Sequence, residues 1–477
     1  MVTRYSLVIL CFQWYDIYSL FENPYIYMRI ANWQHFGLRE NPYDTSPLKE
    51  GASLPIQKAF VGREKEQTFL DHLFLSGNRV CLAVCGDVGV GKTSMVNFHK
   101  FQWKYHKEQL LFSSRKEIEA HRNLLTKEAF LLEIIGSLLR EIELLDSTLV
   151  KDELLAKLGT FLDITYKKDL SFEANIMGSG IGMSRDTVID KPDHLPMAKL
   201  EGYFQDLLEF IRRNEIGGYR YSGIIVHVNN FDVVLREEDQ RHRVVQFFGE
   251  IRDLLQTPNA FFLFLGPSGF FRQIIAPEQR VKSIFHPAPM MLEPLSKKEI
   301  VHTLDERMNI LKSETAQKYI KPVSDEVVFR LYDIYQGDIR SIMSALNDIV
   351  SQYSEQVRSP LVLDEAMVLL GDALWERISQ TVSLTREQKQ LLLHIAASPS
   401  PLTQKQVAED LHKEPANISG YYFRRLKDAG VIELKEQKGK LKYWGLTSQY
   451  LPLHEYSASL IRLKEGQSEL DHQLSMF

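Results

Sequence analysis

Cysteine is scarce in this chain: three in 477 residues, Cys11, Cys81 and Cys85. Cys81 and Cys85 fall within one apolar run at 80–85, and the chain lacks the second pair that a zinc site would need. The spacing predicts buried free thiols and a reducing, cytoplasmic compartment. Long hydrophobic runs are missing too. The opening segment is rich in aromatics (Phe12, Trp14, Tyr15, Tyr18, Phe21, Tyr25, Tyr27), but Asp16 and Glu22 break it well short of the ~20 apolar residues of a membrane span. No small-residue cleavage site follows, which argues against a secretory signal. Positive charge is not in excess: 57 Lys and Arg face 62 Asp and Glu, for a net charge of −5. That excludes a chain basic throughout but leaves room for a local basic module.

With 44% hydrophobic and 25% charged residues and no low-complexity tract, the composition is that of a globular protein too long for one ordinary core. Residues 1–35 read as an N-terminal extension, with Met28 as the expected functional start. From 36 to 60 the text is turn-rich, with Asn41-Pro42, Ser46-Pro47 and Gly51. Phe69, Leu70, Leu73 and Phe74 then give helical spacing over 64–76, and an apolar strand follows at 80–85. Helices are expected over 94–104, 124–145, 200–214 and 239–255, and buried strands over 223–228 and 260–265. A glycine-rich insertion lies at 177–183. Strands alternating with helices imply α/β architecture, a parallel sheet covered on both faces, over residues 36–293. The strands then stop, and helices over 297–311, 325–335 and 339–353 place a small helical lid domain at 294–375. A third unit spans 376–450, followed by a tail at 451–477.

The densest chemistry lies between the first strand and its helix. Gly86-Asp87-Val88-Gly89-Val90-Gly91-Lys92-Thr93 satisfies G-x-x-x-x-G-K-[ST] in full, with Ser94 continuing into the helix. Glycines let the backbone curl so that its N–H groups point at phosphate oxygens, and the helix N-terminus adds its positive end. Lys92 would reach the β- and γ-phosphates, and the Thr93 hydroxyl would bind Mg²⁺. The expected ligand is a nucleoside triphosphate, ATP, with Mg²⁺.

The wider arrangement, over about 36–350, resembles the AAA+ ATPases of the replication-initiator-like and mobile-element type. Phe60-Val61-Gly62-Arg63-Glu64 is similar to the box that lines the adenine pocket in that family. The strand at 224–228 leads to Asn229-Asn230-Phe231-Asp232, where the second acidic motif belongs. The resemblance implies an arginine finger at Arg280, a first sensor near Ser268 and a second sensor at Arg340, in Gly337-Asp338-Ile339-Arg340. One departure matters. The family pattern Asp-Glu-x-Asp appears here with asparagine at both leading positions, so Asn229 stands at the metal-binding position and Asp232 is the one acid left. An amide supplies no charge and takes no proton, and a missing general base costs about 10²–10⁴-fold in rate. A weak ATPase is expected, with Lys92, Asp232 and Arg280 as its catalytic groups.

Residues 385–446 resemble a winged helix-turn-helix. Helices are expected at 388–396, at 403–411 behind a Thr403 cap, and at 415–429 ending at Gly430; strands at 431–434 and 441–444 flank the wing Lys438-Gly439-Lys440. Between Thr385 and Tyr450, eleven Lys and Arg oppose seven Asp and Glu, so this module carries +4 and the remainder −9. That local excess is an electrostatic footprint for double-stranded DNA. Asn417, Ser419, Tyr421 and Tyr422 are the groove-facing candidates, with Arg424, Arg425, Lys438, Lys440 and Lys442 on phosphates. Two functions stand open. In one, an ATP-controlled protein assembles on DNA as a homo-oligomer and serves an unknown client protein. In the other, a nucleotide-sensing regulatory or defence switch uses its winged helix for protein contacts.

Overall fold

The computed structural model describes residues 33–167, 197–352, 359–398, 400–414, 422–456 and 459. Cys11, Met28, the insertion at 177–183 and the tail from 460 lie outside the described residues. The chain divides into two compact units. One comprises 42–311 with 335–343; the other comprises 33–41, 312–334 and the described residues from 344 onward. The helical stretch expected at 294–375 is thereby shared between the two.

The first unit is built on a parallel sheet. Its strands are β1 (Val80–Gly86), β2 (Leu111–Ser113), β3 (Ile118–Glu119), β6 (Gly223–Asn229), β7 (Ala260–Gly266) and β8 (Met290–Leu292), in the order β2-β6-β7-β1-β8 with β3 also on β6. A two-stranded hairpin, β4 (Glu215–Ile216) with β5 (Tyr219–Arg220), stands apart. The long strands read VCLAVCG, GIIVHVN and AFFLFLG and are buried along their whole length, as strands covered on both faces must be. Alternation sorts their side chains. Cys81, Ala83, Ile224, Val226, Val228, Phe262 and Phe264 join a core with the helices Lys127–Leu145 and Met197–Arg213. Val80, Leu82, Val84, Ile225, Leu263 and Leu265 pack on the other face against Leu70, Phe74, Met95, Val96 and Trp103. Cys81 and Cys85 are free and buried, as expected, and burial pushes both thiols up.

Beneath the sheet's helix Lys92–Tyr105 sits a buried ionic cluster. Lys104 Nζ donates to Glu141 at 2.6 Å and to Glu50 at 3.3 Å, Arg115 Nε donates to Glu141 at 2.9 Å, and Tyr105 donates to Glu50 at 2.7 Å. Lys104 and Glu141 are each 1% exposed. A buried charge is tolerated only when paired and hydrogen-bonded, and this one is. The cluster joins the loop at Glu50 to two helices.

In the second unit, Asp348 accepts from Arg377 at 2.7 Å, and Tyr456 donates to Asp372 at 2.7 Å. The Tyr456 ring lies so close to Gly371 that a Cβ there would sit 2.0 Å from it. Toward the C-terminus come the helix Arg386–Ala397, β9 (Leu402–Thr403), the helix Gln404–Asp410, the helix Arg424–Asp428, β10 (Ile432–Lys438) and β11 (Leu441–Leu446). Thr385 and Thr403 close capping boxes with Gln388 and Gln406. The strands form an antiparallel sheet in the order β10-β11-β9. The described elements follow the order expected at 385–446, with longer wing strands than the sequence suggests. Residues 415–421, which hold the start of the expected third helix, lie outside the described residues.

The ion cluster generates a stability prediction. Burial alone would raise the Glu141 carboxyl, but Lys104 and Arg115 hold it below its ordinary value of 4.5. A depressed carboxyl stabilises the fold above its unfolded pKa, and that contribution is lost as pH falls through the folded value. Glu141→Gln is expected to cost about 3–5 kcal/mol at neutral pH, as removal of one partner of a buried pair does. Denaturant unfolding should show the gap to wild type closing as pH drops below the ordinary carboxylate range.

Candidate functional site

The loop between β1 and the helix Lys92–Tyr105 is shaped by two left-handed glycines, Gly89 at φ +82° and Gly91 at φ +90°. L side chains rarely adopt such angles. At Gly89 there is a second constraint: a Cβ would sit 1.6 Å from Asp338 Oδ1. Asp338 is itself fixed, accepting from Arg340 N at 3.0 Å and from the Ser341 hydroxyl at 2.7 Å. Lys92 is 9% exposed, and its ammonium donates to Gly86 O at 2.8 Å and Asp87 O at 2.9 Å. Burial pushes its pKa down, Asp232 and Asp87 pull it back up, and Arg340 opposes them. A desolvated cation at a helix N-terminus is a site for anionic oxygen.

Around this loop lies a cavity of about 400 Å³. Pro47, Leu48, Phe60, Val61, Leu295 and Met343 give it an apolar wall, and Val88 to Ser94 give it a polar floor. Arg340 stands among its lining residues. Polar side chains around the cavity hydrogen-bond to its frame. Leu48 N donates to Ser94 Oγ at 3.1 Å, and Asn97 donates to Leu48 O at 3.0 Å. Arg63, 8% exposed, donates to Val90 O at 2.9 Å and Glu293 O at 2.6 Å. Arg307 donates to Asp44 O at 2.7 Å. So Arg63 and Ser94, expected as ligand contacts, line the cavity but spend their polar groups on its frame; sequence reasoning missed Arg307 and Arg236, which line it too.

At the end of β6, Asn229 donates through Nδ2 to Thr93 Oγ1 at 3.0 Å. Asn230 takes a left-handed conformation at φ +68°, which asparagine tolerates better than most residues. Asp232 follows in a single helical turn and lines the cavity. Two carboxylates the sequence reading passed over, Glu117 and Glu119, also line it. Their signal was the alternation Glu117-Ile118-Glu119, a polar–apolar–polar strand too short to stand out. Thr93 Oγ1 and the Asn229 amide oxygen are hard oxygen donors that fit Mg²⁺. Among the described residues no group of three or more His, Cys, Asp or Glu could hold an ion alone. Mg²⁺ would therefore enter with the phosphates and keep much of its water.

Arg280 and Ser268 are not brought into this cavity. Arg280 is exposed on the short helix Gln279–Lys282, and its carbonyl accepts from Ser283 Oγ at 2.9 Å. In the C-terminal module, Arg424 faces Asp428 at 3.8 Å and Lys438 faces Glu436 at 3.1 Å. Lys413 lies 5.7 Å from the Tyr422 ring centroid. Arg425 is half-buried and Lys440 and Lys442 are exposed, while Asn417, Ser419 and Tyr421 lie outside the described residues. No helix among the described residues is long and apolar enough to cross a membrane.

The crest of the loop makes a prediction. Gly89→Ala is expected to weaken nucleotide binding by about tenfold or more, given the 1–3 kcal/mol of a strained left-handed residue and the Asp338 clash. Gly51, at φ +77° with nothing within 4 Å of its Cβ position, is the control. Gly51→Ala should lower the melting temperature slightly and leave titrations with a fluorescent ATP analogue unchanged.

No family model and no curated protein matches the chain. Solved structures similar to it include the Aeropyrum pernix ORC1 protein in complex with DNA, at 13% identity and a TM-score of 0.43, covering 86% of this chain and 97% of that one. The A. pernix ORC2 protein in ADPNP–ADP complexes has 14% identity and a TM-score of 0.41, over 90% and 98% of the two chains. A point variant of Thermotoga maritima RuvB has 9% identity and a TM-score of 0.35, over 81% and 93%. The functional reading rests on the pocket's own residues: a glycine loop, a buried lysine, a hydroxyl and carboxylates around one cavity.

Proposed function

We propose that the chain binds ATP with Mg²⁺ in this cavity and uses it as a switch with slow hydrolysis, assembling as a homo-oligomer on double-stranded DNA to recruit or regulate a client protein. The observation that carries the reading is the cavity itself. Its floor is Val88 to Ser94 of the glycine loop and one wall is apolar, so one end suits a polyphosphate and the other a flat base. Lys92 would exchange two backbone carbonyls for phosphate oxygens. Mg²⁺ would neutralise phosphate charge, while the Thr93 hydroxyl and Asn229 amide hold their places beside it. Asn229 and Asn230 cannot accept a proton, which supports slow turnover. Arg280, exposed and away from its own cavity, has the placement that a residue completing a neighbour's site requires. The module at 376–450, read as a winged helix-turn-helix, would anchor the assembly through Arg424, Arg425 and the wing.

A second reading has an observation of its own. The wing lysines carry local acidic partners, Lys438 with Glu436 and Lys435 with Glu433 at 2.6 Å, and Leu434 and Leu441 are exposed on the same hairpin. Such a surface suits protein contact, as in a nucleotide-sensing regulatory or defence switch.

Two experiments separate these readings and test the site. Lys92→Ala is expected to weaken ATP binding about ten- to a hundredfold, the 1.5–3 kcal/mol of hydrogen bonds to a charged group. It should also abolish ATP-dependent assembly in size-exclusion chromatography run with and without duplex DNA, and wild-type turnover should stay below ~1 s⁻¹. Replacing Arg424 and Arg425 together by alanine should weaken duplex binding and flatten the slope of log K against log salt by about two. Unchanged DNA binding would favour the protein-contact reading.

A further inference from the structure

The two asparagines that end β6 leave the pocket without a base on that strand, yet carboxylate is present one strand away. β3 runs parallel to β6, with Ile118 opposite Val228 and Glu119 opposite Asn229. The Ala120 N–H donates to Asn229 O at 2.8 Å, which closes the ladder at that point. Neighbouring strands lie about 4.8 Å apart, and opposed residues share a face. Ile118 and Val228 both enter the core on one side of the sheet. Glu119 and Asn229 therefore share the other side, where Asn229 reaches Thr93 at 3.0 Å. Glu117, two residues earlier, lies on the same face, and both glutamates line the cavity.

The three acids of the cavity differ in what they already serve. Glu117 is the leading opposing charge felt by Lys100, an ammonium 4% exposed and without a hydrogen-bond partner that burial pushes down to about 8. Asp232 is the leading opposite charge beside Lys92. Glu119 is exposed at the cavity and flanks the hydroxyl–amide pair of Thr93 and Asn229 through the strand register. We propose that Glu119 is the base that activates water for hydrolysis of the bound nucleoside triphosphate, a carboxylate supplied by β3 where β6 has none. This rests on the nucleotide-binding reading above. In the step, a water oxygen bonds to the γ-phosphorus while one of its protons passes to the Glu119 carboxylate. The bond from that phosphorus to the β–γ bridging oxygen breaks, and nucleoside diphosphate and phosphate leave. The proton on Glu119 then returns to solvent.

The test measures binding and chemistry separately on the full chain with duplex DNA present. A fluorescent ATP analogue with Mg²⁺ reads affinity, and single-turnover release of labelled phosphate reads the step. Glu119→Gln, which is isosteric, is expected to retain affinity within a few-fold and to slow phosphate release by about 10²-fold or more. Wild-type release from the Glu119→Gln chain would overturn the proposal. So would loss of affinity together with rate, or a wild-type chain that binds nucleotide and never releases phosphate. A wild-type chain that binds no nucleotide would instead overturn the underlying reading.

Discussion

The organising constraint of the first unit is a row of buried lysines on one helix. Lys92, Lys100 and Lys104 are 9%, 4% and 1% exposed, and the spacing of eight and four residues keeps them along one stripe of the helix Lys92–Tyr105. An ammonium held out of water either finds hydrogen-bonding partners or has its charged form disfavoured. Lys104 is paired with Glu141 and Glu50, whereas Lys100 Nζ has no hydrogen-bond partner, so burial pushes it down to about 8 with Glu117 as the leading opposing charge. Lys92 donates to two carbonyl oxygens of its own loop and lines the cavity, where a larger anion could take their place.

That graded matching ties the core to the pocket. The cluster at Lys104 holds Glu50, and Glu50 sits two residues beyond Leu48, whose backbone is fixed to Ser94 and Asn97. The apolar wall of the cavity is thus fastened to the same helix that supplies the loop and its lysine. Arg63 and Arg307 fasten it from the other side through carbonyls of Val90, Glu293 and Asp44. Preorganised walls leave less ordering cost to be met on binding.

Much of this fold was legible in the residues. Strands such as AFFLFLG are apolar on both faces, and the helices Glu64–Ser76, Lys297–Leu311 and Asp325–Tyr335 fall where the spacing of apolar residues puts them. The glycine loop was legible because its chemistry is local. What stayed hidden is long-range. β2, β3 and β8 are two or three residues long and exist because β6 and β1 offer free edges for pairing, which no local pattern announces. For the same reason Glu119 did not register as a cavity residue, and the bonds from the Arg63 guanidinium to Val90 and Glu293 could not be read from the residues alone.

The asparagines then make physical sense as a pair with their surroundings. At Asn230 the backbone is left-handed, a conformation in which a longer acidic side chain is disfavoured and asparagine is among the best tolerated. At Asn229 the amide donates to Thr93, which an ionised aspartate could not do, because a carboxylate only accepts. An aspartate at 229 would also have brought a second negative charge beside Glu119 across the ladder, and opposed like charges destabilise a strand pair. Once Glu119 occupies that register, an uncharged donor at 229 is the compatible partner. The departure from an acidic pair on β6 and the glutamate on β3 are two sides of one electrostatic arrangement.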